Sequence, residues 1–285
     1  MKEEKRNVLC KFTIEQEKEI CNRYIIGEST GFLAKEFVTT PTTIHRILKV
    51  YNISRRTLSE ARRNYVNYTI NEEIFSEIND PETSYWLGVM YSDGYISKGK
   101  YTDYFGISVK EDDEEWLLKF KNFLNYSGSI KHYKVVEGYK VGSPYVRLAI
   151  GNNKIVGNLK KWGVVEQKTK KITKIPNILY QDDFIRGYID GDGSLLYKRP
   201  CFQISGNESF FLDIANYFQL PYHLYSDKSI FSLKYNTKES IYLEKRLYSN
   251  ACCYLARKYE IAKRSFNSPI TLEDVMKTQN IKETP

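Results

Sequence analysis

Two nine-residue segments of this chain follow one pattern: Trp86-Leu-Gly-Val-Met-Tyr-Ser-Asp-Gly94 and Ile185-Arg-Gly-Tyr-Ile-Asp-Gly-Asp-Gly193. Asp93 and Asp192 lie 99 residues apart, close to the length of one small domain. A duplicated unit with one carboxylate per copy predicts two acids meeting on a pseudo-symmetry axis. Read as a helix, each copy carries small residues four apart, Gly88 with Ser92 and Gly187 with Gly191. Such a ridge lets two helix backbones approach closely. Gly94 and Gly193 fall where a left-handed residue would end each helix. The acids then occupy the last turn, where the negative end of the helix dipole and a neighbouring carboxylate both disfavour them. A divalent cation bound between them offsets that cost, and hard oxygen ligands suit Mg²⁺ or Mn²⁺.

Other readings of the same residues compete. Asp-Gly is a common hairpin turn, and Leu195-Leu-Tyr197 could be the strand that follows one. Asp190-x-Asp192-x-Ser194 partly matches a calcium loop, but Leu195 stands where the loop needs glycine and Cys201 where it needs the bidentate glutamate. Both segments could also be core helices alone. Two copies in matching context favour a paired functional helix over each of these.

The chain has 285 residues and a formal net charge of +8, so an anionic partner is expected. The distribution of charge sharpens this. From Lys121 to Lys174 there are twelve Lys or Arg against two acids, and from Lys35 to Tyr65 seven against two. Tyrosines, 24 in all, are interleaved with the bases, as nucleic-acid surfaces require. The five cysteines, including adjacent Cys252 and Cys253, form no zinc-ligand spacing and argue against a disulfide framework. No stretch approaches 18 apolar residues, so no membrane association is expected. An intracellular, cytoplasmic protein is expected, bacterial or phage-encoded.

The N-terminal region reads as a compact helical unit. Thr13 and Gln16 can form a capping box ahead of Ile14, Ile20, Tyr24 and Ile25 on one face. Ser29 can start a short second helix with Leu33, Ala34 and Phe37 inward. Val38, Thr39 and Thr40 form a turn, and Thr40-Pro41 opens a third helix through Val50. Ile44, Ile47 and Leu48 face inward at 3/4 spacing, leaving Thr42, Thr43, His45, Arg46 and Lys49 outward. This is the helix-turn-helix pattern, whose second helix enters the major groove of DNA; any small three-helix bundle is the plainer alternative. Arg55 and Arg56, with Arg62 and Arg63 beyond, are candidates for phosphate or minor-groove contacts.

The order of elements after each motif repeats as αββαββα, and the chain resembles a monomeric LAGLIDADG homing endonuclease over roughly residues 81–265. Tyr91 stands where the first acid of that motif usually sits, whereas the second copy keeps Asp190, expected to be structural. The resemblance implies an α+β fold in which two pseudo-symmetric repeats form a DNA-binding β-saddle, preceded by a small all-α helix-turn-helix domain. It divides the chain into a helix-turn-helix domain (1–53), a basic linker (54–80), repeat 1 (81–180), repeat 2 (181–267) and a polar tail (268–285).

The resemblance further implies site-specific hydrolysis of one phosphodiester per strand of duplex DNA. The metal would be held by Asp93, Asp192, Gly94 and Gly193. The family places a polar or basic residue at the end of the strand after each motif helix; Lys110 matches this in copy one, while Gly206, beside Asn207, leaves copy two weakly provided. Lys168 and Lys258 match a lysine beyond the last helix, and plain phosphate contact is the alternative for each lysine. Strand residues expected against DNA are Lys98, Lys100, Lys131, Tyr133, Lys134, Lys140, Arg147, Lys198, Arg199, Gln203, Lys228 and Lys234. The partner is double-stranded DNA and the active form a monomer. The rival reading is a non-catalytic DNA-binding regulator or an RNA-splicing maturase of the same fold, the only reading that brings in RNA. Retention of both aspartates favours the enzyme and Gly206 encourages the rival. Because the chain opens on Met and ends Lys-Glu-Thr-Pro without His-Asn, a self-splicing protein host is not expected.

Overall fold

The computed structural model describes residues 11–277, apart from 58–67, 137, 139–140, 167, 197, 199 and 228–229. It falls into two compact units that divide between Thr69 and Ile70.

The first unit is built on three helices, α1 (Ile14–Ile25), α2 (Thr30–Glu36) and α3 (Pro41–Val50). Each begins where side-chain chemistry can satisfy the free N–H groups of a first turn. Thr13 and Gln16 close the capping box, Ser29 accepts from the backbone of Phe32, and Thr40 accepts from Thr43 ahead of Pro41. Ile20, Cys21, Tyr24, Leu33, Ala34, Ile44, Ile47 and Leu48 form the core. Ile25, expected inside, is 65% exposed: it is the last residue of α1, whose buried positions are Glu17, Ile20, Cys21 and Tyr24. Arg23 ties the helices together by ion pairs to Glu19, Glu28 and Glu36.

The second unit contains the duplication. Its first half runs α4 (Pro81–Tyr91), β1 (Gly94–Ser97), β2 (Tyr104–Lys110), a short 3₁₀ turn, α5 (Glu114–Phe123), β3 (Lys131–Lys134), β4 (Pro144–Gly151), α6 (Asn153–Lys161) and a one-turn α7 (Lys168–Lys171). The second half repeats the order with α8 (Gln181–Asp192), β5 (Gly193–Leu195), β6 (Phe202–Gly206), α9 (Glu208–Phe218), β7 (His223–Asp227), β8 (Ile230–Tyr235), α10 (Thr237–Tyr248) and α11 (Ala256–Ala262). Each half makes one antiparallel four-stranded sheet, ordered β1-β2-β4-β3 and β5-β6-β8-β7. Gly94 pairs with Ile107 and Gly193 with Ile204, so the two sheets share one register. Alternation decides the faces. Phe105, Ile107, Val109, Val146, Leu148 and Ile150 are buried on one side of the first sheet, and Phe202, Ile204, Leu233 and Tyr235 on the corresponding side of the second.

Three expectations need correction. Residues 70–80 are not linker: Phe75 and Ile78 are buried, the indole of Trp162 donates to the Phe75 carbonyl at 2.9 Å, and Asn152 donates to Glu72 at 2.8 Å. The polar tail is not featureless either. Thr271 and Asp274 form a capping box for α12 (Leu272–Met276), whose Val275 is fully buried, and α12 packs on α10. Finally, Gly94 and Gly193 are not left-handed helix ends. Gly193 has φ −81° and ψ 166°, and each glycine opens a strand directly after its acid. What excludes a side chain is crowding, since a Cβ on Gly94 would lie 2.5 Å from Met90 Cα and one on Gly193 2.7 Å from the Ile189 carbonyl oxygen.

Candidate active site and nucleic-acid interface

Helices α4 and α8 meet backbone to backbone. A Cβ on Gly88 would lie 1.9 Å from the Phe184 carbonyl oxygen, and one on Gly187 would lie 2.0 Å from that of Tyr85. The two contacts are symmetry-related, each motif glycine facing the carbonyl of the residue three positions before the other glycine. A Cβ on Gly191 would meet Ser92 Oγ at 2.0 Å and Asp93 Oδ2 at 3.2 Å, so the acid of the first copy reaches the helix end that carries the second.

The surroundings of the acids explain their electrostatics. Asp93 is half-buried, and desolvation first, then the Asp192 charge, push its pKa up to about 6 against the partial relief of Lys168, Lys258 and Arg257. Asp192 keeps part of its side chain in solvent; partial desolvation raises its carboxyl, and Lys168 and Lys258 oppose the rise.

The two lysines are placed alike. Lys168 donates to the carbonyls of Met90 (3.2 Å), Ser92 and Gly94. Lys258, almost fully buried, donates to those of Ile189 (2.5 Å), Asp190 (2.7 Å) and Gly193 (2.7 Å). Each ammonium therefore sits at the negative end of its own motif helix, where the last carbonyls have no intrahelical donor. Burial lowers both lysines to about 8, with the neighbouring carboxylates resisting the fall. The carbonyls of Gly94 and Gly193, expected as metal ligands, are the ones these ammonium groups occupy.

Asp190 belongs to the scaffold. It is fully buried and accepts from the hydroxyls of Tyr85 and Tyr248 and from the Leu255 N–H, each at 2.7 Å. The indole of Trp116 donates in turn to the Tyr85 hydroxyl at 2.7 Å. The matching Tyr91 turns its hydroxyl to the Trp162 carbonyl.

Lys110 ends β2, exposed, with no direct contact to either acid among the described residues. The shared register corrects its counterpart: if Ile107 matches Ile204, then Lys110 matches Asn207, not Gly206. Asn207 caps α9 through Ser209 and Phe210 and lines a cleft of about 190 Å³ together with Lys168, Asp192, Tyr188, Ser92 and Ser205. Sequence reasoning undercounted Asn207 because the offset from the motif was measured to a strand end instead of by pairing.

The remaining expected contacts sort by exposure. On α3, Thr42, Arg46 and Lys49 are exposed, while Thr43 and His45 are half-buried. Thr43 shares a 3.1 Å hydroxyl contact with Thr40, and burial and Arg55 lower the His45 pKa. Arg55 is exposed, but Arg56 is a correction. Its guanidinium donates to the carbonyls of Gly27 (2.7 Å), Tyr24 (2.9 Å) and Glu28 and lies 4.0 Å over the Tyr24 ring, so it caps α1 rather than facing outward. On the first sheet Lys131, Tyr133 and Lys134 are exposed, with Arg147 half-buried on the outward side; Lys98 and Lys100 sit in the β1–β2 connection. On the second, Gln203 and Lys234 pair across β6 and β8 on the outward side, and Lys198 is exposed in a loop. Lys140, Arg199, Lys228, Arg62 and Arg63 lie outside the described residues. No helix among the described residues is long and apolar enough to cross a membrane.

No protein-family model matches the chain. One curated relative, the DNA-directed RNA polymerase subunit Rpo1C of Methanocaldococcus jannaschii, is 28% identical over 199 residues, covering 63% of this chain and 21% of that protein. The chain thus spans about a fifth of the length of the curated relative it matches. Similar solved structures are LAGLIDADG homing endonucleases. The meganuclease I-SmaMI bound to uncleavable DNA is 13% identical with a TM-score of 0.45, covering 71% of this chain and 97% of that one. I-AabMI bound to uncleaved DNA is 13% identical with a TM-score of 0.43 (72% and 98% covered), and I-GzeII in complex with its DNA target 14% identical with 0.45 (73% and 98%).

Proposed function

We propose that the second unit is a metal-assisted DNA endonuclease that recognises a long asymmetric duplex and hydrolyses one phosphodiester in each strand. What supports this reading is the close contact of the two motif helices at Gly88 and Gly187, with Asp93 beside Gly191 of the other copy and raised by the charge of Asp192. Packing alone gains nothing from two carboxylates there, since desolvation and mutual repulsion both raise Asp93. One chain supplies both acids, so a monomer is the active form.

The donor set fits Mg²⁺ or Mn²⁺. Among the described residues no third His, Cys, Asp or Glu joins the two aspartates. One or two carboxylates, completed by water and substrate phosphate, is the usual provision for Mg²⁺. Asp93 and Asp192 would hold the ion, which when bound supplies charge neutralisation at the phosphate and a water of lowered pKa. The chain's own contribution is positional and protonic. Lys168 and Lys258 hold the motif ends in place, each ammonium donating to three carbonyls of its own motif, and burial brings both down to about 8. Asn207 offers an amide on the wall of the cleft that Asp192 enters. The outward faces of the two sheets supply the DNA contacts, and α3 of the first unit adds Thr42, Arg46 and Lys49 as a helix-turn-helix reader.

The test is cleavage of a randomised duplex library with and without Mg²⁺. Asp93→Asn and Asp192→Asn are expected to lose cutting while binding with near wild-type affinity, and binding should fall steeply with salt. Undiminished cutting by both variants rejects the assignment. Metal-independent binding without nicks by the wild type selects the regulator instead.

A further inference from the structure

On the outward face of the first sheet, Arg147 of β4 lies among three tyrosines. Its guanidinium carbon is 6.0 Å from the ring centre of Tyr95, 5.5 Å from Tyr133 and 5.6 Å from Tyr145. Tyr133 and Tyr145 are cross-strand partners and stack at 5.3 Å with planes 19° apart. The fourth support is Ser108, paired with Arg147 across β2, whose Oγ accepts from Nε at 3.0 Å. Gly106 makes room for this cluster: it pairs with Tyr95, and a Cβ there would stand 2.9 Å from the Tyr95 hydroxyl oxygen. With Nε engaged by serine, the two terminal amines have no hydrogen-bond partner among the described residues.

Among the described residues the second sheet has nothing comparable. The shared register makes Ser205 the counterpart of Ser108, and therefore Ser232 the counterpart of Arg147. There the two hydroxyls simply meet at 2.9 Å. The repeats thus present different chemistry at one equivalent position: a fixed fork of two N–H donors in the first, and a small neutral hydroxyl pair in the second.

We infer that Arg147 is a base-reading residue specific for guanine, and that the DNA half lying on the first repeat carries an obligatory guanine with no counterpart in the other half. This rests on the endonuclease reading above. A guanidinium edge with two free donors matches guanine O6 and N7, the commonest specific contact of arginine in the major groove. The same fork would fit a phosphate. The position argues for the base: Arg147 is in the middle of β4, flanked by β2 and β3, whereas the flexible cations Lys98, Lys100 and Lys134 lie in a connection or at a strand end suited to the backbone. The aromatic cluster also removes rotamer freedom before binding, which raises the discrimination obtained per contact.

The experiment is selection of bound sequences from a randomised duplex library by the whole protein in metal-free buffer, where cutting cannot interfere. The wild type should enrich one invariant guanine in one half of its site. Arg147→Gln should relax preference at that position alone, with roughly a 10- to 100-fold loss for the best sequence. Arg147→Met removes both the charge and the fork at similar length and should relax it equally, which also covers a folding failure of the glutamine variant. Ser232→Ala should leave that guanine fixed. A uniform loss over all sequences with the guanine preference intact would identify a phosphate contact and overturn the inference. Recovery of no DNA by the wild type would instead reject the endonuclease reading itself.

Discussion

The ammonium of Lys258 lies 2.7 Å from the carbonyl oxygen of Gly193, the residue that follows the second motif acid. Lys168 makes the matching bond to Gly94. Each lysine thus fixes the junction between a motif helix and its strand while standing beside the carboxylate pair. Removing the amine but not the bulk, by Lys168→Met or Lys258→Met, should lower the single-turnover cutting rate about 100-fold or more, in line with loss of a proton-transferring group. DNA affinity in metal-free buffer should change less than tenfold, since each amine is engaged by three backbone carbonyls. An affinity loss as large as the rate loss would make both lysines phosphate contacts.

The glycine contact between α4 and α8 leads to a stability prediction. Gly88→Ala and Gly187→Ala each put a methyl group within about 2 Å of a carbonyl oxygen, so the helices must part. Overpacking of this kind costs about 1–3 kcal/mol or more. For a unit of this size, a fall in Tm of roughly 5 °C or more follows, read by calorimetry. Gly157→Ala, where a Cβ meets nothing within 4 Å, is the control and should melt at or above the wild-type temperature.

Asp190 provides a third. All three of its partners are donors, two tyrosine hydroxyls and a backbone N–H. Asp190→Asn sets an amide N–H against one of them and should destabilise by about 2–3 kcal/mol, the cost of an unsatisfied buried donor beside a lost charged bond. Tyr248→Phe removes a single partner and should cost about half as much. Chemical denaturation of both variants measures the difference, and an Asp190→Asn protein as stable as the wild type would contradict the network.

A fourth concerns the adjacent thiols. Cys252 is exposed, and its pKa is lowered to about 7, first by a hydrogen bond from Cys253 and further by the nearby Arg186, against some desolvation. Cys253 is raised in exchange. Cys21 and Cys201 are buried. In a Cys10→Ser background, which removes the one cysteine outside the described residues, alkylation by iodoacetamide should therefore show one fast thiol whose rate climbs through pH 7, because the thiolate is the nucleophile and forms above its pKa. Cys252→Ser should abolish that phase; a midpoint above pH 8 in the wild type would count against it.

What was legible in the chain was whatever local chemistry settles. The three caps of the first unit follow from Thr13, Ser29 and Thr40 alone, and the paired helices from glycines at fixed spacing. The long-range pairings were not legible. Arg56 beside Arg55 carries the same charge in sequence, yet only the fold turns it onto the carbonyls ending α1. Val275 sits in a polar stretch that gives no amphipathic signal, and its burial depends on a surface offered by α10. The match of Lys110 to Asn207 emerges only from strand pairing, which offsets along a chain with unequal loops do not preserve.

The anchoring of Asp190 has a consequence for how the protein is made. Its last partner, the Leu255 N–H, comes 65 residues later in the chain. While the polypeptide is still being synthesised, Asp190 lacks one of its three donors until that stretch has emerged. The second motif helix can therefore take up its final hydrogen bonds only after Leu255 has been made, so the acid-bearing end of that helix depends on a segment well beyond its own repeat sheet.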